Sequence, residues 1–411
     1  MHHCSRAAVP ALLVSLSALL SGCSGSLTPP GSGVRILPGG PLPGLTRTEL
    51  ASFERGKLVF QRRFEPEEGL GPRYNATSCE SCHSEPTVGG SAPLYRNFYL
   101  CMLGAPGRQT PLPGLGSAVM PAFGNGHDFT TEAGRPVLAD ASGAQLTVAQ
   151  RNALPLFGVG LFEFVSDATL LARADPNDED ADGISGRFNT DGGNLGRFGV
   201  KAQSNNVEVF TRAPLMNQMG VTSDPFMGSG AIVSLGRLQV STNPDMPTTD
   251  LDSHPDPEIT SRDLGDLIAF TRFLAPPQPI RPFSAEAERG EALFETLRCT
   301  ACHVPELRSS RGAVRAYTDL LLHDLGPELA DGLGFGVPQA ASLAPPTAAG
   351  EFRTQPLWGV TLSAPFLHDG RAETLREAIE LHGGEAGASR TSFQALTGAE
   401  QSDVIAFLEH L

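Results

Sequence analysis

The chain has 411 residues, with 45 acidic against 30 basic side chains and a formal charge of −15. That balance argues against nucleic acid or an anionic membrane surface as a partner; it suits a small basic protein partner, and it is also common where charge only keeps a protein soluble. Only 18% of residues are charged, and 46 glycines and 34 prolines imply many loops, ordered with the help of bound groups.

The first element is an apolar run from Ala7 to Leu20 behind His2, His3 and Arg6. It is too short to span a membrane and has the shape of a signal peptide, residues 1–22. Leu20-Ser21-Gly22-Cys23 looks like a bacterial lipobox, which makes Cys23 the lipidated first residue; the alternative is ordinary cleavage beside an incidental cysteine. No other stretch could cross a membrane. The expectation is a protein of the bacterial cell envelope, periplasmic or anchored to the outer membrane, touching the membrane only through its lipid. Residues 23–44, rich in Gly, Pro and Ser, read as a flexible tether.

After the tether the chain repeats itself. Arg55-Gly56-Lys57-Leu58-Val59-Phe60 precedes Cys79-Glu80-Ser81-Cys82-His83, and Arg289-Gly290-Glu291-Ala292-Leu293-Phe294 precedes Cys299-Thr300-Ala301-Cys302-His303. The units close with segments 266–274 and 403–411, whose apolar residues at i, i+3, i+4 and i+7 predict amphipathic helices. Four prolines in residues 275–282 mark the linker, placed at 276–282. The predicted units are 45–275, with long loop insertions, and 283–411.

Each CxxCH reads as an attachment site for c-type haem: two thiols for the two vinyl groups, and His83 or His303 as proximal iron ligand. Half of a zinc site is the alternative for one copy alone. Two copies in an exported chain imply two covalently bound haems. Of the seven cysteines only Cys101 is then left over, and it reads as a buried apolar thiol.

One insertion carries Asp178, Asp180 and Asp182 in alternation, followed by Gly183. This is the first half of an EF-hand-type loop and predicts Ca²⁺ on these three carboxylates. Asn189 stands where the bidentate Glu would be, and the alternative is a solvated acidic turn.

The order helix, CxxCH, loops, closing helix resembles the cytochrome c fold, so the predicted class is mainly α with two cytochrome c-like haem domains. From 351 onward Arg353-Thr354-Gln355-Pro356-Leu357-Trp358, Ser363-Ala364-Pro365-Phe366-Leu367-His368-Asp369-Gly370-Arg371 and Thr374-Leu375-Arg376-Glu377-Ala378-Ile379 resemble the signature of bacterial di-haem cytochrome c peroxidases. Within that group the chain most resembles the di-haem oxidoreductase family, also called thiol oxidoreductase-like. Further matches include segments 75–78, 158–161, 182–187, 196–202 and 317–324. The resemblance implies that the C-terminal haem transfers electrons and takes its second ligand fourteen residues after His368. That position is His382, where relatives place Met or Tyr; a surface histidine in a glycine-rich loop is the alternative. It also implies that Arg353 and His368 lie near that haem's propionates, that His323 serves the inter-haem region or caps a helix, and that Ser363 and the Pro365 carbonyl match an interface calcium site.

The N-terminal haem is then the one that meets hydrogen peroxide or another small oxidant. Moving the peroxide proton is general acid–base work. Where the resemblance implies a distal Gln and an acid, this chain has Phe210 and Gln218. Gln218 can orient peroxide but cannot carry its proton. Glu163 is the candidate replacement and His127 a second, each also readable as structural. Phe162 or Phe164 fills the place of an inter-haem Trp, and the one Trp is Trp358. The leading expectation is an exported peroxidase fed by a small redox protein through the C-terminal haem. The alternatives are a non-catalytic electron-transfer protein, its first haem capped by Met102, Met120, Met216, Met219 or Met227, and an oxidase of a partner protein or organic substrate.

Overall fold

Short polar side chains decide where the helices begin. In the computed structural model, which describes residues 38–104, 109–111, 117–124, 130–132, 135–137, 146–191, 193–223, 252–334 and 347–411, Thr46, Asn206, Thr260, Ser284, Thr374 and Thr397 each accept a hydrogen bond from the backbone N–H three residues on. Glu49, Glu377 and Glu400 reach back to close capping boxes. Each cap is worth about 1 kcal/mol. The helices are α1 (Arg47–Gln61), α2 (Asp167–Leu171), α3 (Val207–Met219), α4 (Ser261–Phe273), α5 (Ala285–Thr296), α6 (Leu375–Leu381), α7 (Gly387–Ala395) and α8 (Gly398–His410). Among the described residues the strands form only two- and three-stranded sheets.

The sequence repeat is a repeat in packing. α1 crosses α4 and α5 crosses α8, each at a glycine that has no room for a side chain. A Cβ on Gly56 would lie 1.9 Å from the Asp266 carbonyl oxygen, and one on Gly290 would lie 1.9 Å from that of Asp403. The preceding arginine binds the same aspartate in both pairs, Arg55–Asp266 at 2.6 Å and Arg289–Asp403 at 2.8 Å. One turn on, Phe60 meets Phe270 at 4.9 Å between ring centroids, and Phe294 meets Phe407 at 5.3 Å. Each crossing sits in its own apolar cluster. Trp358, though late in the chain, belongs to the first.

Two antiparallel pairings position the remaining parts. Phe98–Leu103 runs against Leu146–Arg151, with Phe98 opposite Arg151. Leu322–Asp324 runs against Glu351–Arg353, with Leu322 opposite Arg353. The second pairing holds His323 and Arg353, both buried, on adjacent strands.

Residues 38–44, read from composition as the end of a tether, pack against the body. Leu42 N–H donates to the Phe273 carbonyl at 2.8 Å, Ala275 N–H donates to the Gly40 carbonyl at 2.9 Å, and Leu42 is buried. Residues 38–44 are therefore docked along the end of α4, because an apolar Leu42 gains more there than in water. The proline linker is also packed: a Cβ on Gly158 would meet Pro276 and one on Gly359 would meet Pro277. The expected signal peptide, Cys23 and the first part of the tether lie outside the described residues, as do His127 and Met227. Among the described residues no helix is long and apolar enough to cross a membrane.

Candidate functional site

Each CxxCH folds as a tight turn after the first helix of a crossing pair and opens onto a cavity. The first cavity, about 510 Å³, is walled by Cys79, Cys82 and His83 on one side and by α3 residues Phe210, Asn217, Gln218 and Met219 on another. The second, about 250 Å³, is walled by Cys299, Cys302, His303 and His382. Leu154, Pro155, Val200, Arg353, Gln355 and Pro356 belong to both walls, so the cavities abut.

Three imidazoles on these walls have Nδ1 tied to a backbone carbonyl. His83 Nδ1 lies 3.0 Å from the Gly90 carbonyl, His303 Nδ1 lies 2.9 Å from that of Tyr317, and His382 Nδ1 lies 2.6 Å from that of Ala378. A carbonyl oxygen only accepts, so the proton sits on Nδ1 and Nε2 keeps its lone pair. Burial lowers the affinity of all three rings for a second proton; His303 is pushed down to about 4, with His382 adding to the effect. Two thiols, a neutral imidazole with its outer nitrogen tied back, and an apolar cavity make a donor set that fits a covalently held haem at each site. Burial pushes the Cys79 and Cys299 thiols up to about 12, so as free groups they stay protonated.

The two cavities differ in the histidines that line them. In the second, His382 caps the C-terminus of α6 and shares the cavity with His303. In the first, His83 is the one histidine among the described lining residues. Gln218 lines this cavity. Its Oε1 accepts from Asn75 Nδ2 at 2.8 Å, while Asn75 Oδ1 accepts from Ala122 N–H at 2.6 Å, which leaves Nε2 as the donor end of Gln218. Of the methionines considered, Met219 lines the first cavity; Met102, Met120 and Met216 do not.

Glu163 requires a correction. It lines neither cavity. Its carboxylate accepts from Arg272 Nε at 2.6 Å and from the Val207 N–H at 2.7 Å, and both partners of the ion pair are about 1% exposed. It anchors the start of α3 to α4 and is not free for proton transfer. Removing one partner of a buried pair strands a charge, which is why such a residue is structural.

The carboxylate loop is corrected as well. The three acids whose oxygens lie within 4.8 Å of one another are Asp175, Asp178 and Asp180. Asp182 turns away to an ion pair with Arg298, the residue before Cys299.

Arg353 lies on the shared wall, donating to the Gly199 carbonyl at 2.9 Å and to Gln355 Oε1 at 2.7 Å. Burial pushes it down to about 10, still cationic at neutral pH. His368 lines the second cavity, stacked on Phe352 at 4.0 Å, and burial pushes it down to about 4, so it is neutral. Of the expected propionate partners only Arg353 carries charge. Ser363 also lines the second cavity. Phe162, not Phe164, stands beside Trp358: the two rings stack with centroids 5.4 Å apart and planes 6° apart, while Phe164 lies under Arg311. Cys101 is fully buried, as expected.

Asp319 and Glu385, which nothing in the sequence singled out, flank His323 on the wall of the second cavity. Between them they hold His323, each at 2.8 Å from one ring nitrogen. Burial opposes the charged form of His323, but hydrogen bonds to Asp319, Cys302 and Glu385 outweigh this and raise it well above the ordinary histidine range. The i, i+4 spacing of Asp319 and His323 is a local signal for one contact; nothing local points to Glu385.

Among known proteins, the methylamine utilization protein MauG of Methylorubrum extorquens is 31% identical over 137 residues, covering 31% of this chain and 35% of that protein. MauG of Methylophilus methylotrophus is 28% identical over 158 residues, covering 36% and 42%. The chain thus spans about two-fifths or less of these relatives' length. Among solved structures, the di-haem peroxidase BthA of Burkholderia thailandensis is 18% identical with a TM-score of 0.42, covering 94% of each chain. A MauG-like protein associated with microbial copper homeostasis is 18% identical with a TM-score of 0.40, covering 91% of this chain and 92% of that one. A family model described as "Di-haem oxidoreductase, putative peroxidase" matches residues 125–411, more than half of the sequence, and the chain belongs to that family.

Proposed function

We propose that the protein is an exported c-type oxidoreductase with two cytochrome c-like haem domains, 45–275 and 283–411, that reduces hydrogen peroxide at the first haem. The observation that carries this reading is the unequal supply of histidine: His83 alone lines the first cavity among its described residues, while His303 and His382 share the second. A six-coordinate second haem would receive electrons from a small redox protein, and a five-coordinate first haem would leave room for the oxidant. Bound haem supplies the redox chemistry, H₂O₂ + 2e⁻ + 2H⁺ → 2H₂O. Gln218 Nε2 donates to the oxidant and holds it in place. An amide does not carry protons at neutral pH and Glu163 is engaged by Arg272, so neither Gln218 nor Glu163 delivers the protons. Gln218→Leu removes the donor and should lower peroxide turnover by about tenfold, the worth of one hydrogen bond to a developing charge. Peroxide consumption by the holoprotein with a reduced donor tests both statements. No consumption above that of free haem contradicts the peroxidase; unchanged turnover in Gln218→Leu contradicts the role of Gln218. Met219 on the same wall favours the electron-transfer reading as the second choice.

Further proposals concern the N-terminus and the acidic loop. Residues 1–22 direct export and Cys23 carries the lipid, which mass spectrometry of the mature N-terminus would show or refute. Asp175, Asp178 and Asp180 hold Ca²⁺. Chelation should lower the melting temperature, and an unchanged melt would rule calcium out.

A further inference from the structure

The segment Asp182 to Ser185 belongs to the first half of the sequence, yet its side-chain partners lie around the second cavity. Ser185 Oγ donates to Glu385 Oε1 at 2.6 Å, and Ser185 N–H donates to Glu385 Oε2 at 3.0 Å. Glu385 stands three residues after His382, in the turn Gly384–Ala386. At the other end Asp182 pairs with Arg298, next to Cys299. Between them Ile184 lines the second cavity. The segment thus links Glu385, three residues after His382, to Arg298, next to Cys299.

We propose that residues 182–185 act as a strap on the loop after His382, and that Ser185 and Glu385 are positioning residues for His382 as second axial ligand. The proposal rests on the ligation by His303 and His382 put forward under the proposed function. Three observations support it. α6 has only seven residues, so its last turn depends on the chain beyond it. That chain begins with Gly383-Gly384, where the backbone turns close to its neighbours: a Cβ on Gly384 would lie 2.1 Å from the Asp324 carbonyl oxygen. A glycine pair holds no position by itself, so the anchor is Glu385. Its two oxygens accept from Ser185 Oγ, Ser185 N–H, Asp324 N–H and His323 Nδ1. Ser185 supplies two of these four donors from a segment 200 residues away in sequence. The Asp182–Arg298 pair is substantially exposed and adds little by itself, so the weight falls on Ser185 and Glu385.

Ser185→Ala in the haem-loaded full chain removes the hydroxyl and keeps the rest of the strap. The expected result is about tenfold faster binding of carbon monoxide or imidazole at the second haem, with a lower low-spin fraction there and no change at the first. Ser185→Thr, which keeps a hydroxyl, should restore slow binding. If Ser185→Ala does not fold, Glu385→Gln, which keeps an acceptor but weakens the four contacts, should give the same acceleration. His382→Ala in the same assay separates the two readings. Should His382→Ala open the second haem while neither strap variant alters ligand binding or spin state, the strap is refuted and the ligation stands. Should His382→Ala leave the second haem unchanged, the ligation fails and takes the strap with it.

Discussion

His382→Ala is expected to convert the second haem from low spin to high spin, and His382→Met to keep it low spin while raising its potential. The basis is geometric. His382 is the C-cap of α6, with Nδ1 held 2.6 Å from the Ala378 carbonyl, so Nε2 is left as a ligand atom in the cavity that also holds His303. Burial keeps the ring neutral, as an iron ligand must be. Two imidazoles give a low-spin iron of lower potential than His/Met ligation. Ala leaves one imidazole and an open position; Met replaces a nitrogen donor with a softer sulfur. Visible and EPR spectra with a redox titration check both variants. If neither spectrum nor potential moves, His382 is a loop histidine and another group fills the position.

Gly290→Ala is expected to destabilise the second half of the molecule by about 3 kcal/mol or more and to disturb its haem. Ala is intrinsically better than Gly in a helix by roughly 1 kcal/mol, so an exposed glycine would gain from the change. At Gly290 the new Cβ would lie 1.9 Å from the Asp403 carbonyl oxygen and 2.8 Å from Phe407 Cβ. The first neighbour is backbone and cannot swing away, so α5 and α8 must part. That separation loosens Phe294 against Phe407 and the Arg289–Asp403 pair together. Gly56→Ala repeats the experiment in α1 and α4. Gly398→Ala is the control, since a Cβ there meets nothing within 4 Å. Denaturant unfolding of the three variants decides: a Gly290→Ala protein as stable as the Gly398→Ala control would show that the crossing tolerates a side chain.

What could be read from the sequence was what local chemistry determines. The two CxxCH turns, the paired Arg-Gly segments and the amphipathic closing helices each need only neighbouring residues to be recognised, and the two helix crossings follow from their similarity. Gln218 and His382 rest on resemblance to a family; Gln218 lines the first cavity and His382 the second. The misreadings concern side chains whose partners are distant in sequence. Glu163 was free to be a base until Arg272, 109 residues later, engaged it. Asp182 completed an alternating pattern, but Arg298, 116 residues on, draws it away and leaves Asp175 in its place beside Asp178 and Asp180. Leu42 looked like part of a tether because nothing nearby in sequence showed that the end of α4 would bury it. The Phe162–Trp358 stack and the Ser185–Glu385 contact share this character: charge, shape and burial decide them after the chain has folded.

On the proposed reading the two haem sites are unequal, one open and one closed by a second histidine. The EPR spectrum of the fully ferric holoprotein reads this inequality. One high-spin and one low-spin component of equal intensity is the predicted result. Two low-spin components, with the first haem capped by Met219 or another side chain, would contradict it.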